Sequence, residues 1–250
     1  MTAVLETRGL GKRFGGIVAT NDVTFSLEPG ARHALIGPNG AGKTTFVNLL
    51  TGVLPPTAGS VSLAGQDITR LSPERRVRLG LVRTFQINQL FASLTPLETL
   101  ALAVSERLRH GWRWARPVGT DPAVAKQANE VAERFGLVDV LGARTDTLPY
   151  GKQRLLEIAV AFACAPRVLL LDEPAAGVPE AERRDILDAI AQLPAEVSVL
   201  LIEHDMDLVF SFARRISVLV DGALFAEGEP AAIAKDQRVR AVYLGESRDG

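Results

Sequence analysis

One cysteine, Cys164, among 250 residues excludes an internal disulfide, and with it the stapled small-domain class. It ends the apolar stretch Ile158-Ala159-Val160-Ala161-Phe162-Ala163-Cys164, where a thiol is expected to pack as a small buried hydrophobe. Long apolar runs are lacking as well, since no window approaches the ~20 residues of a membrane-spanning helix. The start, Met1-Thr2-Ala3-Val4-Leu5-Glu6-Thr7-Arg8, lacks the charge followed by an apolar stretch that marks a secretory signal. The expected setting is a reducing one, at the cytoplasmic face of a membrane if at a membrane at all, because a subunit can dock on a partner that carries the spans. Neither sign of charge is in excess: 28 Lys+Arg stand against 29 Asp+Glu, a net charge of -1. That balance argues against coating nucleic acid or anionic lipid through bulk field. Repeats and low-complexity tracts are also missing. What remains is a globular chain, 47% hydrophobic, long enough for one large domain or two lobes, whose partners must be recognised by sites.

Periodicity then divides the chain. Val23-Thr24-Phe25-Ser26-Leu27 alternates as a half-buried strand does, and Glu28-Pro29-Gly30 closes it as a turn. Ala34-Leu35-Ile36 is a short strand running into Gly37. Phe46, Val47, Leu49, Leu50 and Val53 fall at helical spacing, so a helix is expected to follow and to stop at Pro55-Pro56. Later, Val168 to Leu171 and Val197 to Ile202 are continuous apolar runs ending in Asp172-Glu173 and Glu203-His204. Strands buried on both faces belong to a parallel sheet covered by helices, and Ile186, Leu187, Ile190 and Leu193 supply a helix between these two. From about Gln86 to Pro166 strand signals vanish and helical patterns, Pro96 to Leu108 and Val124 to Phe135 among them, take over. A helical lobe inserted into an α/β core is expected.

Gly37-Pro38-Asn39-Gly40-Ala41-Gly42-Lys43-Thr44 fits G-x-x-x-x-G-K-[ST] in full, with a strand before it and a helix after. Glycines let successive backbone N–H groups curl around phosphate oxygens, Lys43 adds charge at the β and γ phosphates, and Thr44 offers a hydroxyl to Mg2+. The helix that follows points its positive end at the same anion. Asp172, ending a buried strand, is placed to hold Mg2+ directly or through water, and Glu173 to act as general base on the attacking water. His204, at the end of the next strand, reads either as a γ-phosphate contact or as a surface histidine.

Taken in order, Phe14, Gly37 to Thr45, Gln86, Leu148 to Gln153, Leu170 to Pro174 and His204 resemble the motifs of ABC transporter ATPase subunits, over nearly the whole chain. Arg83-Thr84-Phe85-Gln86, Leu148-Pro149-Tyr150-Gly151-Lys152-Gln153, Asp172-Glu173-Pro174-Ala175-Ala176-Gly177, Ile202-Glu203-His204-Asp205-Met206 and the ending Ala241 to Glu246 are similar to the LivG-like branch, whose members import branched-chain or other hydrophobic amino acids, urea or amides. The resemblance implies an α/β P-loop NTPase, RecA-like, with an N-terminal antiparallel β subdomain. Residues 1–85 and 167–250 would form the nucleotide-binding core and 86–166 the helical subdomain. It implies ATP and Mg2+ as ligands. The nucleotide contacts would be Phe14 (stacked on adenine, its alternative being a core phenylalanine), Asn39, Gly40, Ala41, Gly42, Lys43, Thr44 and Thr45, with Tyr150, Gly151 and Lys152 meeting ATP held by a second ATPase subunit. Glu173, His204, Gln86 and Lys43 would be catalytic, and Thr44, Gln86 and Asp172 would hold the metal.

The implied partners are that second ATPase, two transmembrane permease subunits and, indirectly, a substrate-binding protein, with no nucleic acid. The family signature Leu-Ser-Gly-Gly-Gln is altered here, with Pro149 and Tyr150 in its second and third places. Proline removes a hydroxyl and an N–H, but the helix expected to open at Gly151 can still present amides to an anion. A retained but weakened half-site is expected. Trp112 and Trp114 in a basic stretch read either as a permease or headgroup contact or as a solvated connection. Three other functions share these motifs: a lipopolysaccharide-type exporter ATPase, a mechanical ATPase of DNA repair or translation, and a partner whose own hydrolysis is dead.

Overall fold

The computed structural model describes residues 3–84, 90–108 and 121–245; Gln86, Trp112 and Trp114 lie outside the described residues. The strands are β1 (Leu5–Phe14), β2 (Ile17–Leu27), β3 (Arg32–Ile36), β4 (Ala58–Leu63), β5 (Gln66–Asp67), β6 (Leu81–Arg83), β7 (Val168–Asp172), β8 (Ser198–Ile202), β9 (Arg215–Val220) and β10 (Ala223–Gly228). The helices are α1 (Lys43–Thr51), α2 (Pro73–Arg78), α3 (Pro96–Arg107), α4 (Pro122–Arg134), α5 (Tyr150–Ala163), α6 (Glu180–Ala191), α7 (Met206–Phe212), α8 (Pro230–Lys235) and α9 (Gln237–Gly245).

Two sheets form. One is antiparallel, in the order β2-β1-β4-β5. The other has the order β10-β9-β3-β8-β7-β6 and is parallel except for β10 at its edge. Period-2 side-chain direction explains why β7 and β8 read as unbroken apolar runs. Leu170 and Leu200 point into a core shared with Leu35, Phe46 of α1 and Phe25 of the antiparallel sheet. Leu169, Leu171, Val199 and Leu201 point the other way, against Ile158 of α5 and Ile186 of α6. The five buried leucines of β7 and β8 each bring roughly 2 kcal/mol of apolar transfer to one face or the other. Helix α1 is thus held between the two sheets, and its start is fixed where β3 ends.

Between 90 and 166 the described residues contain no strand. Here α3, α4 and α5 meet through Leu100, Val104, Val124, Ala128, Leu155 and Ala159. Helix α3 begins at a capping box, in which Thr95 Oγ1 accepts the Glu98 N–H while the Glu98 carboxylate accepts the Thr95 N–H, with Pro96 at the first helical position.

Three expectations need correcting. Helix α1 stops at Thr51 because Gly52 adopts φ +78°, the left-handed cap, several residues before the prolines; Val53 therefore leaves the helical stripe and is 50% exposed. Cys164 is only partly buried, at the C-terminal cap of α5, although burial still raises its thiol pKa. Helix α5 begins at Tyr150, with Pro149 itself as the cap residue, one position before the glycine.

A buried polar chain crosses the edge of the parallel sheet. Ser217 on β9 donates its hydroxyl to Glu227 on β10 at 2.7 Å, so the Nε2–H of His33 on β3 is the donor to Ser217 Oγ at 2.8 Å. Burial holds the His33 imidazole down at about 4, against the partial pull of Glu227 upward. Between its ordinary value near 6.5 and this one, the unfolded chain binds a proton that the folded chain refuses. Stability is therefore full above about pH 6.5 and falls as the pH drops toward 4, by on the order of 3 kcal/mol from this group alone. Denaturant unfolding of His33→Gln should show a shallower loss between pH 6.5 and 4.5 than the parent chain; equal slopes would contradict the assignment.

Candidate nucleotide site

The glycine loop spans the gap between β3 and α1, and its geometry is imposed by close backbone neighbours. At Gly37 an added Cβ would lie 2.2 Å from the Leu219 carbonyl oxygen, and at Gly42, where φ is +93°, 2.4 Å from that of Ala19. The Ala41 carbonyl accepts the Gly222 N–H at 3.0 Å, and the Gly222 carbonyl accepts the Asn21 N–H at 2.8 Å. The turn between β9 and β10 and the strand β2 thus clamp the loop from outside. Asn39 and Gly40 are exposed at its tip while Ala41 is buried. Lys43 is the first residue of α1, and its Nζ donates to Gly37 O at 2.5 Å and Pro38 O at 2.9 Å. The ammonium therefore lies folded over its own loop, at the positive end of a helix, where an anion is most favoured. Thr44 is exposed beside it and Thr45 half-buried.

Strand β7 delivers the carboxylates. Asp172 pairs with Ile202 of β8 and is buried; its Oδ2 accepts from Arg83 Nη2 at 2.5 Å, and its N–H donates to Thr84 Oγ1 at 3.3 Å. Glu173 follows in a left-handed conformation, φ +47°, held there by its N–H to Ile202 O at 2.9 Å and its own carbonyl to Ala176 N–H at 3.1 Å. A non-glycine residue fixed in that region costs on the order of 1 kcal/mol or more and marks over-determined, often functional backbone. The turn lifts the Glu173 side chain off the strand line beside His204, whose Nδ1 lies 3.6 Å from Glu173 Oε1. His204 is 66% exposed, so one ring nitrogen faces the carboxylate and the ring remains open to an incoming group.

Beneath them lies Glu203, a carboxylate the sequence reading passed over. It is almost wholly buried, accepts the N–H groups of His204 at 3.0 Å and Asp205 at 3.4 Å, and lies 3.7 Å from His204 Nδ1. Burial raises its pKa, with the two amides opposing. A charged residue directly after a wholly apolar strand was the available signal. Arg83 was likewise quoted only as part of a motif, and Asn48, whose Oδ1 accepts from Arg83 Nη1 at 2.6 Å, had no sequence signal at all.

The remaining candidates are placed elsewhere. Phe14 stands at the β1–β2 hairpin with its ring 46% exposed and the Lys12 ammonium 5.2 Å from its centroid, which removes the core-phenylalanine reading. On α5, Tyr150 is exposed, its hydroxyl 3.4 Å from the Ala176 carbonyl that accepts it. The Gly151 N–H donates to Glu182 Oε2 at 2.7 Å, so this amide already has a carboxylate of α6 as its acceptor. Lys152 donates to the Gly136 carbonyl at 2.6 Å and to Asp139 at 2.9 Å, within the helical region. The Glu182 contact joins segments 31 residues apart and leaves no periodic trace in the sequence.

Among the described residues no group of three or more His, Cys, Asp or Glu could hold a metal unaided. Thr44 and Asp172 offer hard oxygen donors, which suits a magnesium ion that keeps waters and takes further ligands from phosphates. A built cation cage is not what this site presents; a phosphate-dependent one is compatible with it.

Comparison with known proteins accounts for this arrangement. The ABC transporter family matches residues 20–176, and the branched-chain amino acid ATP-binding cassette transporter family matches 223–249. The chain is similar to the high-affinity branched-chain amino acid transport ATP-binding protein BraF of Pseudomonas aeruginosa, 41% identical with 98% of each chain covered. It is also similar to LivG of Escherichia coli, 39% identical over 98% of each. Among solved structures, the ADP conformation of MJ1267, an ATP-binding cassette of an ABC transporter, superposes with a TM-score of 0.86 at 29% identity, covering 98% of this chain and all of that one. The chain therefore belongs to the ABC transporter ATP-binding proteins, in the branch that contains BraF and LivG.

Proposed function

We propose that this chain is the ATP-binding and ATP-hydrolysing subunit of an importer for branched-chain or other hydrophobic amino acids. The observation that supports the reading is that β3 and β7 run parallel on either side of β8, so the glycine loop after β3 and the Asp172–Glu173 turn after β7 leave the same end of one sheet. The names of BraF and LivG support the transported class. Residues 1–85 with 167–250 serve as the nucleotide-binding core, and 86–166 as the helical subdomain.

In this reading the loop amides and Lys43 hold the β and γ phosphates, Phe14 stacks on adenine, and Glu173 takes a proton from the water that attacks the γ phosphorus as its bond to ADP breaks. His204, with Nδ1 against Glu173, meets the γ phosphate through its other ring nitrogen. Thr44, Asp172 and Gln86 would hold Mg2+ arriving with ATP, which would supply neutralisation of phosphate charge. A second cassette supplies the opposite wall, its Tyr150, Gly151 and Lys152 facing ATP on this one, and ATP-driven closure moves two permease subunits. No described helix is long and apolar enough to cross a membrane.

The altered signature gives a direct consequence. With Pro149 capping α5 and Glu182 accepting from Gly151, the half-site lacks a hydroxyl and carries a competing carboxylate. Pro149→Ser restores a side-chain acceptor and donor at a position where serine is a good cap, and should raise ATP turnover of the assembled transporter several-fold; an unchanged rate and ATP affinity would remove the weakened half-site. Radiolabelled ATP turnover by the purified chain, alone and with its membrane partners, tests the functional reading itself, since a structural partner with dead hydrolysis would release no phosphate in either case.

A further inference from the structure

Arg83 ends β6, and its side chain bridges two elements of the site. Its Nη2 lies 2.5 Å from Asp172 Oδ2 on β7, and its Nη1 donates to Asn48 Oδ1 on α1 at 2.6 Å. Asn48 is four residues after Thr44, one turn along the same helix face, so the guanidinium stands on the same side of α1 as the hydroxyl proposed for the metal. Both side chains of the ion pair are only 9% exposed, which weakens solvent screening between them. Thr84 fixes the backbone next to both partners, its Oγ1 accepting the Asp172 N–H and its own N–H donating to Leu170 O at 2.9 Å. The bidentate fork of arginine suits this bridging; a lysine offers a point charge and cannot span both acceptors in one plane.

Resting on the functional reading above, we propose that Arg83 is a positioning residue of the metal site, which orients the Asp172 carboxylate against α1 and competes with Mg2+ for it, and so sets the Mg2+ concentration at which nucleotide is held. A fixed cation beside the carboxylate lowers the attraction that Asp172 exerts on a second cation. Removing it strengthens that attraction. A residue needed only to keep the site in shape has the opposite effect, because its loss leaves the carboxylate disordered and Mg2+ less well held.

The test is a Mg2+ titration of equilibrium binding of a fluorescent, non-hydrolysable ATP analogue. Arg83→Gln is expected to reach half-saturation at about three- to tenfold less Mg2+ than the parent chain, while Arg83→Lys, which keeps the charge, stays within about twofold. An Arg83→Gln protein that folds and needs the same Mg2+ or more overturns the proposal. Should Arg83→Gln fail to fold, as loss of one partner of a buried pair can cause, Arg83→Met, which keeps the apolar stem and removes the charge, decides in the same titration: a lower Mg2+ requirement is expected, and the same requirement or a higher one overturns the proposal. Failure of the parent chain to bind the analogue at any Mg2+ concentration would instead refute the functional reading.

Discussion

Glu173→Gln is expected to bind ATP with close to the parent affinity and to hydrolyse it at least about a hundredfold more slowly, the range general-base removal produces. The substitution keeps the shape and removes the proton acceptor. It also leaves the backbone undisturbed, because the φ of +47° is fixed by main-chain bonds to Ile202 and Ala176 that the side chain does not make. Its neighbour His204 loses one carboxylate contact at 3.6 Å but retains Glu203 at 3.7 Å, so the ring stays anchored. Phosphate release and retained labelled ATP, measured on one preparation, separate chemistry from binding. Normal steady-state hydrolysis by Glu173→Gln would sink the assignment of the base.

Lys43→Ala should do the reverse and cost binding. Its ammonium is a full charge held directly over the glycine loop, by the Gly37 and Pro38 carbonyls at 2.5 and 2.9 Å. Hydrogen bonds to charged groups are worth about 1.5–3 kcal/mol each, so a loss of roughly ten- to a hundredfold in ATP affinity follows from removing one such contact. Calorimetric or fluorescence titration of the variant checks this. The loop itself should keep its path, because Ala19, Leu219 and Gly222 clamp it through backbone atoms. ATP affinity within about twofold of the parent chain would mean that the backbone amides alone hold the phosphates.

How far the sequence carried can be seen residue by residue. The phosphate loop was legible because its glycines answer to local backbone geometry, and close approach at Gly37 and Gly42 demands the absence of Cβ. The two-sided burial of β7 and β8 was legible because continuous apolar runs have few other uses. Helix ends were less so: proline is a conspicuous stop, yet Gly52 ended α1 first through its left-handed φ. The contacts that tune the site were not legible at all. Arg83 to Asp172 and Asn48, and Gly151 to Glu182, each depend on which strands and helices become neighbours, and no period or spacing encodes that. The left-handed Glu173 belongs with them, since glutamate has no preference for that conformation and is held in it by the end of β8.

The central claim is that ATP bound at Lys43 and hydrolysed beside Glu173 drives inward movement of a branched-chain amino acid through partner membrane subunits. Uptake of labelled leucine into proteoliposomes containing this chain, its permease subunits and an external binding protein, with ATP on the side of this chain, tests it most directly. Accumulation that requires ATP and vanishes with Glu173→Gln is the predicted result; accumulation indifferent to that substitution, or leucine leaving the vesicle on ATP addition, would contradict it.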